Sequence, residues 1–223
     1  MDPSPPPLND SWDVNRLRLP EGIVGNPTPS KRPPRHRPGE AFIKGPVPYS
    51  WMAAACRLPG SGLHVASTYW YLCHRYQGPN RYGLDALARS LEISDDTVRR
   101  ALHSAEEAGL LSVVREPGCK LAVSIIPIEK TSFEVIRRPL YGPIPWAWWY
   151  AAMMQHGPAL KTAAACWTLA GWEQMGEFEV SLAGWTDLGL SRFSVSRGLE
   201  TLVRAGLIEM AAQRGRSPFV RLL

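Results

Sequence analysis

Gly45-Pro46-Val47-Pro48 returns as Gly142-Pro143-Ile144-Pro145, an offset of 97 residues, and the same offset carries far beyond the prolines. It pairs Trp51 with Trp148, Ala54-Ala55 with Ala151-Ala152, Gly60 with Gly157, Leu63 with Leu160, Ala66 with Ala163, Trp70 with Trp167 and Leu72 with Leu169. Further along it pairs Leu91 with Leu188, Ser94 with Ser191, Val98 with Val195, Arg100 with Arg197, Leu102 with Leu199, and Ala108-Gly109-Leu110 with Ala205-Gly206-Leu207. Self-similarity of this length without a gap means that one supersecondary unit is used twice. The chain therefore divides into a proline-rich basic arm (1–44), a first domain (45–135) and a second copy of it (136–223).

Each copy reads as the same series of elements. In the first, Trp51–Cys56 is an alanine-rich helix stopped at Pro59-Gly60, and 62–77 is a longer helix with Leu63, Ala66, Trp70 and Cys73 on one face. Leu84–Leu91 is a third helix, followed by a tight turn at Glu92-Ile93. Ser94 then has the chemistry of an N-cap for a fourth helix, whose inner face is Val98, Ala101, Leu102 and Ala105, and Gly109 suits a left-handed stop. Residues 110–115 and 121–126 form a hairpin across Glu116-Pro117-Gly118. The second copy predicts a helix over 182–188, a Gly189-Leu190 turn, a Ser191 cap, a helix over 192–205 ended by Gly206, and a hairpin joining 207–210 to 219–222 through Arg214-Gly215-Arg216-Ser217. The fold expected is mainly α with small β-hairpin wings (α+β), in two tandem winged helix-turn-helix domains.

The stretch Leu87-Ala88-Arg89-Ser90-Leu91-Glu92-Ile93-Ser94-Asp95-Asp96-Thr97-Val98-Arg99-Arg100-Ala101-Leu102, continued by Glu106-Glu107-Ala108-Gly109-Leu110-Leu111, resembles the helix-turn-helix of bacterial winged-helix transcription regulators. Leu190-Ser191-Arg192-Phe193-Ser194-Val195-Ser196-Arg197-Gly198-Leu199-Glu200 resembles the same motif. The likeness covers about 30 residues in each copy. It implies that the helix after the turn enters the major groove of double-stranded DNA and that the wing reaches the neighbouring backbone or minor groove. Tandem winged helices of this size are also similar to plasmid- or phage-type replication initiators.

On that implication the second copy presents Arg192, Phe193, Ser194, Ser196 and Arg197 at the start of its recognition helix, with Arg214 and Arg216 at the wing tip. Arginine can bond a guanine edge in bidentate fashion, and serine can serve phosphate or base. The bland alternative is a solvated basic face. The first copy offers Thr97, Arg99, Arg100 and His103, with Lys120 in its wing, but Asp95 and Asp96 stand at the start of its helix. Carboxylates there favour the positive end of the helix dipole and repel phosphate. Either this copy reads DNA with an Asp accepting from cytosine, or it docks a protein partner or stabilises the pair of domains. The arm adds Lys31, Arg32, Arg35 and Arg37 on an extended proline-rich backbone, as a minor-groove hook, an electrostatic tether or a solvated linker.

Charge and composition set limits on other functions. The chain has 25 Lys+Arg against 20 Asp+Glu, a mild excess that permits phosphate contact without demanding it. More than half of the 21 prolines precede Tyr49. No signal-like start or long apolar run is seen, so a cytoplasmic protein without membrane contact is expected. Cys56, Cys73, Cys119 and Cys166 are spaced as core residues rather than as metal ligands. Among the nine tryptophans, Trp51, Trp70, Trp148 and Trp167 occupy matched positions and are expected in the core. Trp146-Ala147-Trp148-Trp149-Tyr150 carries too many aromatics for one buried stripe, so part of it should pack on the first copy, on another chain by self-association, or on a protein partner. There is no phosphate-binding glycine loop, nucleophile elbow or metal cluster, so neither an enzyme nor a cofactor is expected. The competing expectation is an architectural subunit in which winged helices bind proteins in a nucleoprotein complex.

Overall fold

The computed structural model describes residues 33–116, 120–126, 139–173, 177–211 and 216–223. It is an α+β fold in which helices carry small antiparallel sheets. The first copy contributes strand β1 (Phe42–Ile43), helices α1 (Tyr49–Arg57), α2 (Gly62–Tyr76), α3 (Leu84–Leu91) and α4 (Asp95–Glu107), and strands β2 (Leu111–Val114) and β3 (Ala122–Ile125). The second contributes β4 (Ile144–Pro145), α5 (Trp146–Met153), α6 (Ala159–Glu173), β5 (Glu177–Glu179), a 3-10 turn Thr186–Leu188, α7 (Arg192–Arg204), β6 (Ile208–Ala211) and β7 (Phe219–Leu222). A shift of 97 maps α2 onto α6, α4 onto α7, β2 onto β6 and β3 onto β7 without slippage at either end.

The punctuation expected from the sequence is present. Ser94 Oγ accepts from Thr97 N and Ser191 Oγ from Ser194 N, each at 3.2 Å, which satisfies one orphan amide at each helix start. Gly109 and Gly206 end α4 and α7 with φ of +69° and +67°, where a side chain would be strained.

Two elements of the second copy depart from expectation. The helix expected over 182–188 survives only as the 3-10 turn Thr186–Leu188. Its first half holds Gly184, a poor helix former, and Ser181 Oγ accepts from Ala183 N at 3.4 Å, a local bond that competes with helix. The second hairpin also gains a third strand, since β5 pairs with β7 in the order β5-β7-β6. The first copy retains a single bridge there, Asn80 with Val123.

The copies are joined by a seam that maps onto itself when they are exchanged. Phe42 and Ile43 pair with Pro145 and Ile144, and Val47 pairs with Leu140 in the same antiparallel register. Ile43 corresponds to Leu140 and Val47 to Ile144, so each copy offers the same strip to the other, as in an isologous dimer. The folded unit thus begins ahead of the expected 44/45 boundary, because β1 belongs to the seam. Two further contacts cross between the copies at equivalent acceptor positions, though from donors that are not counterparts. Tyr49 Oη donates to Asp187 Oδ2 at 2.5 Å, and Tyr150 Oη donates to the Ser90 carbonyl at 2.6 Å, Asp187 being the counterpart of Ser90.

This arrangement explains the aromatic run. α5 lies at the seam, where it is apolar almost all round and covered almost all round. Trp146 stacks on Tyr71 at 4.1 Å, Trp148 Nε1 donates to the Leu207 carbonyl at 3.0 Å, and Trp149 is fully buried. The first copy takes Trp146 and Tyr150, the second copy's own Leu207 and Trp167 take Trp148, and all four rings of the run are buried. Both copies share one continuous core that includes Trp51, Trp70, Trp148 and Trp167. Cys56, Cys73 and Cys166 are buried in that core as expected, while Cys119 lies outside the described residues. Burial pushes the thiols of Cys56 and Cys166 up to about 12, so both are inert at neutral pH. No helix among the described residues is long and apolar enough to cross a membrane.

Candidate nucleic-acid interface

The outward faces of α4 and α7 occupy equivalent places and differ in charge. α7 carries three arginines and one glutamate, while α4 carries two arginines and four carboxylates. Both helices turn their apolar faces inward through Val98, Ala101, Leu102 and Ala105, and through Val195, Leu199 and Leu202.

On α7, Arg192 and Arg197 are exposed, and neither makes an ion pair among the described residues. Between them Phe193 is 82% exposed, an unusual cost for a phenyl ring with nothing packed on it. Ser194 is tied to the cap, its Oγ 2.9 Å from that of Ser191, and Ser196 Oγ donates to Glu200 at 3.4 Å. Arg197 also lines a cleft of about 420 Å³ with His156, Glu200 and Arg204. Arg216 is exposed in the loop that joins β6 to β7, and Arg214 lies outside the described residues.

Two of the α4 groups expected to face DNA, Arg100 and His103, are engaged by acids of the same helix. Arg100 pairs with Asp96 at 3.1 Å and His103 with Glu107 at 3.4 Å. Arg115, at the end of β2, folds back onto Glu106 at 2.7 Å, which holds the Glu106 carboxyl below its usual range. Thr97 is half-buried, its hydroxyl 2.9 Å from the Ser94 hydroxyl. Arg99 and Lys120 are exposed and outside any ion pair among the described residues. Exposed pairs of this kind contribute little to stability, but they cancel the field that would attract a phosphate. The i,i+4 spacings of Asp96 with Arg100 and His103 with Glu107 were a readable signal for this neutralisation.

The arm does not run free over its described part. His36 stacks on Phe42 with ring centres 4.1 Å apart, and Arg37 N donates to Glu40 Oε2 at 2.7 Å. Arg37 also approaches the Glu40 carboxylate at 3.9 Å, while Arg35 is exposed and outside any ion pair among the described residues. The chain turns back at 38–39 rather than continuing extended. Lys31 and Arg32 lie outside the described residues. No group of three or more His, Cys, Asp or Glu among the described residues could hold a metal ion.

No family model matches the chain, and neither a curated protein nor a solved structure is similar to it.

Proposed function

We propose that the chain is a sequence-selective double-stranded DNA-binding protein, a transcriptional regulator in which two winged helices of one chain act as the halves of a built-in dimer. In this reading α3, α4, β2 and β3 form one winged helix, and the 3-10 turn, α7, β6 and β7 form the other. α4 and α7 are the recognition helices.

The observation that carries the reading is the start of α7. Two guanidinium groups outside any ion pair among the described residues, those of Arg192 and Arg197, flank an exposed phenyl ring on a helix whose inner face is fully committed to the core. Guanidinium suits the guanine edge, and phenyl suits the thymine methyl. Arg216, and Arg214 beside it in sequence, supply phosphate contacts from the wing. The two copies differ in role: α7 reads bases, while α4, which carries four carboxylates and has Arg100 and His103 held by Asp96 and Glu107, binds weakly in the second half-site.

The neutralised α4 favours one further reading, in which the first copy docks a protein and the chain is an architectural subunit. Binding of the full chain to a pool of random duplexes at about 50 and 200 mM salt, with sequencing of what is retained, separates the two. A recovered motif supports the regulator. Retention without a motif that is lost steeply with salt, or no retention, overturns it in favour of backbone binding or the protein-binding subunit respectively.

A further inference from the structure

Exchanging the two copies carries the seam onto itself. Gly45 and Gly142 are counterparts and meet backbone against backbone at its centre. Val47 N donates to the Leu140 carbonyl and Leu140 N to the Val47 carbonyl, both at 2.9 Å, and the exchanged pair, Ile144 with Ile43, stands in register on the other side of the glycines. An antiparallel strip that maps onto itself defines a two-fold. A head-to-tail relation would instead bring two different surfaces together.

Contacts away from the strip keep the same relation. His64 Nε2 lies 3.0 Å from the Met153 carbonyl, and the counterparts of these residues, Lys161 and Cys56, are also brought together: a Cβ on Gly189 would stand 3.8 Å from Lys161 Nζ and 3.9 Å from the Cys56 carbonyl. α1 reaches the turn Thr186–Leu188 of the second copy through Tyr49 and Asp187, and α5 reaches the end of α3 through Tyr150 and Ser90. Tyr150 stands at the position of Ala53, one helical turn beyond Tyr49, so the donors differ while the helix faces and the acceptor positions correspond. Ser90 and Asp187 each precede a capping serine, Ser94 or Ser191, by four residues. The two-fold that relates these anchors therefore also relates the starts of α4 and α7.

We infer that the DNA site is an inverted repeat of unequal halves, one under α7 and a weaker one under α4, filled by a single chain. The inference rests on the reading of α4 and α7 as recognition helices, and it adds the relative direction of the two half-sites. Helices related by a two-fold enter the major groove of one duplex in the same manner only where the protein axis coincides with a dyad of the DNA. The second half is then read on the opposite strand, in the opposite direction. A direct repeat relates its halves by translation and rotation along the duplex, an operation the seam does not contain. The halves are unequal because α7 presents Arg192, Phe193 and Arg197 where α4 presents Asp95, Asp96 and Arg100, the last paired with Asp96 at 3.1 Å. A perfect palindrome places one of its halves under the wrong helix, so the preferred site is inverted without being palindromic.

The full chain is footprinted with hydroxyl radicals on both strands of a duplex recovered from the random pool, and the number of chains bound is measured by sedimentation. Hydroxyl radicals report the sugars, so the pattern shows the direction of each half however few bases α4 reads. Two protected blocks related by a dyad, under one chain, are expected. Affinity is then compared on three duplexes of equal length: the recovered site, the same site with its weaker half reversed in direction, and the site with that half replaced by unrelated sequence. Reversal should weaken binding about tenfold, as much as replacement does. Blocks repeated in the same direction, a single protected block, two chains on the site, or equal affinity for the reversed site overturns the inference and leaves base reading by α7 standing. Recovery of no motif overturns the regulator reading, and the inference falls with it.

Discussion

Gly45 and Gly142 lie directly opposite one another in the antiparallel seam, backbone against backbone. A Cβ on Gly142 would stand 2.6 Å from Gly45 N and 2.9 Å from the Ile43 carbonyl, and one on Gly45 would stand 2.9 Å from Gly142 Cα. The glycine of the repeated Gly-Pro-x-Pro motif is therefore explained by the exchange of copies: each is the only residue small enough to pass the other. Gly45→Ala or Gly142→Ala should destabilise the chain by about 1–3 kcal/mol, the range for overpacking, as read by urea unfolding. Wild-type stability in both variants would mean that the seam is not formed.

Gly198 sits in the middle of α7, where alanine would ordinarily gain about 1 kcal/mol of helix propensity. Here a Cβ would lie 2.6 Å from Thr162 Cβ on α6, so Gly198→Ala should lose stability instead. Combining it with Thr162→Ala, which removes the crowding hydroxyl and methyl but keeps Cβ, and so also removes a buried hydroxyl without a hydrogen-bond partner among the described residues, should recover part of the loss. A stabilised single variant would contradict the close packing of α6 on α7.

His64 joins the copies on the other side of the seam, with Nε2 3.0 Å from the Met153 carbonyl. Burial lowers its pKa below the ordinary 6.5, with the Met153 bond opposing more weakly. The unfolded chain therefore binds a proton that the folded chain refuses. The stabilising contribution is present above about pH 6.5 and is lost as pH falls from there through the folded value. Unfolding measured at stepped pH should show stability falling below 6.5, and His64→Gln should flatten that part of the curve. Equal slopes in both proteins would contradict the buried neutral imidazole.

Much of the fold was legible because the repeat pairs local signals that reinforce one another. Ser94 and Ser191, Gly109 and Gly206, and the apolar faces of α4 and α7 are punctuation that a single helix carries within itself. The seam was not legible, since β1 and β4 are two residues each and their pairing spans 101 positions, with no local periodicity to announce it. The packing of the first copy on the second is also what covers Trp146 and Tyr150, so the fate of that run could not be read from α5 alone. At the candidate site, the contrast between Arg192 and Asp95 was readable from residue type. The capture of Arg100 by Asp96 had its i,i+4 spacing as a signal, whereas that of Arg115 by Glu106, from strand to helix, needed side-chain geometry.

If α4 is held back by its own carboxylates, removing them should release it. Asp95→Asn with Asp96→Asn frees Arg100 from its 3.1 Å pair and removes two charges that face phosphate. Affinity for a retained duplex should rise and the salt dependence should steepen, while stability drops by about 0.3–1 kcal/mol per lost helix-dipole interaction. Unchanged DNA affinity would assign α4 to another partner.

The central claim rests on the two exposed arginines at the start of α7, and their replacement tests it most directly. Wild type and the Arg192→Ala, Arg197→Ala double variant are titrated against the duplex recovered from the random pool, from about 50 to 200 mM salt. The account predicts a loss of about 1–3 kcal/mol for each base contact removed, retained at high salt, with the fold intact by circular dichroism. Equal affinity of the two proteins at every salt concentration would contradict base reading by α7.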